Sequence, residues 1–204
     1  MDFLDPPKSP IFYDTFAIRD LDGHAALTQY WPWFSAFESR KAVLSYAPVP
    51  VQSCWNGMVV FDAAPFYNNP PLMFRAIPDT LAEMHLEGSE CCLIHADNPL
   101  VKDNGVWLNP NIRVAYKEEA NAIVNPDKGG WPTAAGKMQG IWANRWIWWT
   151  GWPWRWHAER KVSRRLKQWE VGERKKGEVE RIEPGRICLV DEMQVLLSNG
   201  WMHV

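Results

Sequence analysis

The sequence predicts an α/β fold. Apolar runs rich in strand-forming residues at 12–20, 49–61 and 105–116 alternate with helical periodicity at 25–46, 80–87 and 90–97. Turn-forming pairs break the pattern: Asn56-Gly57, Asn98-Pro99 and Asn109-Pro110. Of the 204 residues, 47% are hydrophobic and 23% charged, so the chain has enough apolar material for a real core.

The elements follow in order. Residues 1–10 are proline-rich and read as an extended lead-in. FYDTFAIRD (12–20) reads as a strand running into the polar loop LDGH. From Ala25 to Tyr46, Leu27, Tyr30, Trp31, Phe34, Phe37 and Leu44 recur at steps of three and four, which suits a helix bent or restarted at Trp31-Pro32. Val49 to Phe61 is a β region with a bend at Asn56-Gly57. DAAPFYNNPPLMF is a loop, and Asp79 caps the short helix TLAEMHLE. Ser89 is a good N-cap and Glu90 a favourable first-turn anion for a helix over 90–97, stopped by Asn98-Pro99. GVWLNPNIRVAY (105–116) is a strand interrupted at Asn109-Pro110. Residues 141–169 suit two helical pieces broken near Gly151-Pro153. The end reads as a strand (186–190) and a helix (191–198) stopped by Asn199-Gly200.

The formal net charge is −2, which gives no field favouring nucleic acid. The opening MDFLDPPKSP has no cationic and apolar leader pattern, so no signal peptide is expected, and no 18-residue charge-free apolar run spans a membrane. The four cysteines are Cys54, Cys91, Cys92 and Cys188. Neighbours such as Cys91 and Cys92 rarely bridge each other, whereas a bridge to the pair from Cys54 or Cys188 is open. Free cysteine otherwise behaves as a small core hydrophobe.

EGSECCLIHAD (87–97) concentrates reactive side chains. Cys91 and His95 have the i, i+4 spacing of a helical metal site, but two ligands are a weak signal, and a packed or surface His95 is the plainer reading. Glu90 is either a site carboxylate or an exposed first-turn glutamate that only favours the helix.

FYDTFAIRDLDGH, VPVQSCWNGMVVF, HLEGSECCLIHADNP, GVWLNPNIRVAY and DEMQVLLSNGWMHV together resemble the fungal capsule-associated α-1,3-mannosyltransferase family. The resemblance covers 1–116 and 186–204. It implies the acceptor-side half of a GT-A-like glycosyltransferase fold, followed by an irregular Trp-rich and basic insertion at 117–185 and a closing segment at 186–204. The implied reaction is retaining transfer of mannose from GDP-mannose to a glycan acceptor, with Mn²⁺, on the lumenal side of the Golgi membrane. The Asp-x-Asp metal motif of such enzymes would lie upstream; Asp2 and Asp5 do not form it. Tyr116 stands where many of them place a metal-binding histidine. The chain thus reads as a fragment without its main donor and metal ligands. A non-catalytic glycan- or partner-binding remnant is the alternative.

The resemblance also assigns site residues. Glu90, opening a helix, would hold the acceptor or stabilise developing charge. Trp55 would stack on a pyranose, Asn56 would bond its hydroxyls, and Gly57 would let backbone approach closely. Read without the resemblance, SCWNG is an ordinary turn. Arg19 and Asp20, with Asp22, carry charge toward donor or acceptor, or merely solvate a loop. Tryptophan totals fourteen, eight of them in 131–156, followed by Arg160, Lys161, Arg164, Arg165 and Lys167. This segment reads as a glycan-stacking surface, a membrane-interface element, or sequence under little constraint.

Overall fold

The computed structural model describes residues 1–4, 11–13, 15–172, 181–192, 194–197 and 200–203. It is a mixed α/β structure built on small, mainly antiparallel sheets. Strands β1 (Asp2–Leu4) and β2 (Ile11–Phe12) pair antiparallel, with Phe3 opposite Phe12. After β3 (Arg19–Asp20) come helix α1 (Phe37–Ser45) and β4 (Val49–Ser53). Helix α2 (Asp79–Ala82) and β5 (Glu87–Gly88) lead into α3 (Glu90–Asp97). Then follow α4 (Val101–Asn104), β6 (Val106–Leu108), β7 (Val114–Ala115) and α5 (Glu118–Val124). Two long helices, α6 (Ala134–Thr150) and α7 (Trp152–Val171), precede β8 (Leu189–Val190) and the β9–β10 hairpin (Gln194–Leu197, Gly200–His203).

β4 is the centre of the β3-β4-β6 sheet. Its alternating Val49, Val51 and Ser53 point into the protein, as a half-buried strand requires. The two valines join a core of Phe3, Phe12, Ile18, Trp33, Phe34 and Leu108. β7 pairs in parallel with β1 instead, so the break at Asn109-Pro110 sends the two halves of 105–116 into different sheets. A second core gathers Leu81, Leu86, Leu93, Leu166, Trp169 and Leu189 around a Cys92–Cys188 disulfide, with Cα atoms 5.6 Å apart. This bridge is one of the four pairings the sequence left open, Cys54 or Cys188 to either member of the Cys91–Cys92 pair. Cys54 and Cys91 take no part in it.

Several expectations are corrected. The lead-in is extended at its start, as β1, and is also built into the core: Met1 and Phe3 are buried, and the amino terminus donates to the Ile112 carbonyl at 2.8 Å; residues 5–10 lie outside the described residues. The helix expected over 25–46 exists only from Phe37. Pro32 has no N–H and disfavours helical backbone before it, and Trp33 is left-handed with φ 58°, so 25–36 forms turns. Asp79 lies in the first turn of α2 rather than capping it. The helix expected over 191–198 is replaced at 194–197 by β9, because a strand partner at β10 outweighs the local pattern; Ser198 and Asn199 lie outside the described residues. The insertion expected to be irregular is largely helical, broken at Gly151 as the sequence suggested.

Candidate functional site

The local chemistry of the RDLDGH turn comes first. Asp20 is fully buried and accepts from the backbone of Ala36, Asp22 and His24 and from the Ser35 hydroxyl, at 2.8 to 3.1 Å. Those bonds fold residues 20–24 into a tight turn, with Gly23 at φ 85° where a side chain would be strained. Arg19 is also buried; its guanidinium donates to the carbonyls of Phe16, Ile18, Ile187 and Cys188. It therefore stitches β3 to the 186–188 turn. The polar side chains of the turn that this frame leaves accessible are Asp22 and His24.

The turn forms one wall of a cleft of about 1010 Å³. The opposite wall is the junction of α6 and α7, and residues 186–192 close the third side. Trp148, Trp152 and Trp156 line it beside Asp22, His24, Glu159 and Asp191. Trp152 and Trp156, one helical turn apart, lie stacked with centroids 6.4 Å apart. Arg160 covers the Trp156 ring at 3.9 Å, a cation–π contact that holds the indole in place. Arg155 is turned back onto the end of α6, donating to the Ile147 and Trp148 carbonyls at 2.9 and 2.6 Å. Desolvation lowers its pKa from the ordinary arginine value, with Glu159 opposing. His24 Nε2 lies 3.8 Å from Glu159 across the cleft. Asp191 is held by Lys161 at 2.6 Å and by Arg165. Flat aromatic faces with carboxylates and an imidazole between them suit a polyhydroxylated ligand: the rings meet apolar C–H faces, and the polar groups orient hydroxyls.

A smaller cavity, about 350 Å³, lies among Asn56, Met58, Phe61, His95, Leu100 and Trp107. His95 stacks on Phe61 at 5.2 Å, and its Nε2 lies 2.9 Å from the Cys54 carbonyl. A carbonyl only accepts, so Nε2 carries the proton. Burial lowers the His95 pKa, partly offset by that hydrogen bond. This is a packed histidine, the plainer of the two readings. Asp97, two residues on, is bound by the Arg75 fork at 2.5 and 3.0 Å. The same guanidinium holds buried Glu183 at 2.6 and 3.0 Å and has its pKa raised by both acids. Among the described residues no three His, Cys, Asp or Glu side chains converge as a metal site.

The sequence-derived candidates are dispersed. Arg19 borders the large cleft and Asn56 the small one. Trp55 is half-buried against Phe74 and Phe61, at 5.5 and 6.3 Å. Gly57 takes the positive φ of 78° that its turn needs. Glu90 is exposed at the start of α3 and lines neither cavity. Sequence reasoning did not foresee Trp148, Trp152, Trp156, His24 and Glu159 as one site. The i, i+4 pair Trp152/Trp156 was the available signal.

Residues 1–97 match the family model described as cryptococcal mannosyltransferase 1. The matched residues contain the 19–27 wall of the large cleft, whereas its tryptophans lie outside the match. No curated protein and no solved structure matches the chain.

Proposed function

We propose that the chain acts in glycosyl transfer, as part of a GT-A-like enzyme that passes mannose from GDP-mannose to a glycan acceptor with retention of configuration. The observation that carries this reading is the match of residues 1–97 to a mannosyltransferase family, with a Trp-lined cleft built onto the matched turn. In this reading the large cleft holds the acceptor. Trp152 offers its ring to a pyranose face, braced by Trp156 beneath Arg160, while Asp22, His24 and Glu159 bind hydroxyls. Asn56 binds sugar at the smaller cavity, with Trp55 and Gly57 proposed to extend the contact from beside it in the chain. Glu90, which lines neither cavity, is proposed as a carboxylate that stabilises developing charge and is not placed in the acceptor cleft. Binding energy spent on orientation is what lets such a cleft raise the rate of transfer. The Cys92–Cys188 bridge supports a lumenal, oxidising compartment, where disulfides persist.

The test is transfer from radiolabelled GDP-mannose to a mannoside in the presence of Mn²⁺, beside calorimetric titration of the mannoside. Trp152→Ala with Trp156→Ala should raise the acceptor KM about tenfold, the loss of roughly 1.4 kcal/mol of binding, and change kcat less. Glu90→Gln should lower kcat. Equal activity of Glu90→Gln removes that residue from the proposal. Mannoside binding without transfer selects the non-catalytic remnant; neither binding nor transfer ends both.

A further inference from the structure

The outward face of α6 is unusual for a protein surface. Met138, Trp142, Arg145 and Trp149 follow one another at steps of four, three and four, which places them on one face of the helix, with Trp146 beside them. Trp142, Trp146 and Trp149 are 62%, 66% and 72% exposed. None of these residues lines either cavity. The opposite face of the helix carries buried Gly140 and Asn144 and fixes the orientation: the Asn144 amide donates to the carbonyls of Tyr30 and Trp31 and accepts from the Thr28 hydroxyl. The stripe is thus held outward by the packing of the helix.

Charge selects the occupant. From Asp127 to Glu159 the chain has no acidic residue between, while Lys128, Lys137, Arg145 and Arg155 all lie there. Arg145 sits exposed within the stripe, and Arg164 and Lys167 are exposed farther along α7. A sugar is bound in a concave site, but this face is a convex helix. Indoles with an apolar body and one N–H donor favour the headgroup layer of a bilayer, and neighbouring cations favour anionic lipid. No helix among the described residues is long and apolar enough to cross a membrane, so the contact would be peripheral.

We infer that the α6 stripe is a membrane-interface contact, seating Trp142, Trp146 and Trp149 among the headgroups of an anionic lipid surface. It rests on geometry independent of the cleft and its chemistry.

The experiment is flotation of the whole chain with vesicles of phosphatidylcholine alone or of an equimolar mixture with phosphatidylserine, with tryptophan quenching by brominated lipid. Co-flotation with the mixed vesicles, quenching, and weakening by salt are expected. The Trp142→Ala, Trp146→Ala, Trp149→Ala variant should bind at least about tenfold more weakly, and Arg145→Glu should weaken binding only to the anionic vesicles. Circular dichroism would verify that both variants keep the helix content. No flotation of the wild type at low salt overturns the inference. So does equal binding by the triple variant, or a stripe-dependent dimer in sedimentation that binds no vesicles.

Discussion

Arg75 bears more than its position in a proline-rich loop suggests. Its guanidinium is shared between Asp97, at the end of α3, and Glu183, whose buried carboxylate also accepts from Gly185 N at 2.7 Å. Removing one partner of such a group leaves a buried charge uncompensated, which is costlier than the pair is worth. Arg75→Ala should destabilise the fold by about 3 kcal/mol, read from urea denaturation midpoints, and Arg75→Lys should recover only part because it lacks the planar fork. His95 gives a pH dependence of known sign. Its pKa is lowered in the fold by burial, so below about 6.5 the unfolded chain binds the proton more readily. Its contribution to stability is complete above that pH and is lost as pH falls through the lower, folded value. His95→Gln should flatten the acid limb of a stability–pH profile relative to wild type. An unchanged limb would show that His95 does not set it.

At the scale of elements, the docking of α6 is the least forgiving contact. A β-carbon on Gly140 would overlap the Trp31 carbonyl oxygen, which is backbone and has nowhere to go. Gly140→Ala should therefore lift α6 away and cost more stability than the small helix-propensity gain of alanine returns. Asn144→Ala should cost about 2 kcal/mol by stranding buried carbonyls; tryptophan fluorescence during thermal melting would report both. This contact also explains where sequence reading stopped. Helix α3 was legible to the residue, because Ser89, Glu90 and Asn98-Pro99 mark both ends locally. The break between α6 and α7 was legible to within two residues, expected near Gly151-Pro153 and found at Gly151. The turns of 25–36 were not, since their apolar spacing imitates a helix and only the packing of Trp33 and the seating of α6 against Trp31 decide otherwise. The cleft was half legible. RDLDGH stood out as charged, but burial reversed its roles, giving Arg19 and Asp20 to the frame and leaving Asp22 and His24 accessible.

At the scale of the molecule, the part matched to the mannosyltransferase family and the part beyond it form continuous cores. Leu166 and Trp169 of α7 pack with Leu81 and Leu93, and Arg19 binds carbonyls 168 and 169 residues downstream. The Cys92–Cys188 bridge closes a loop with a sequence separation of 96. Cys188→Ser should lower stability by roughly 3 kcal/mol, as should reductant on the wild type, because the unfolded chain regains the freedom of that loop. Cutting the backbone once anywhere inside that ring leaves two peptides still joined through sulfur. After limited digestion at such a point, an electrophoresis lane run without thiol should show one undivided species, and the lane run with thiol should show two.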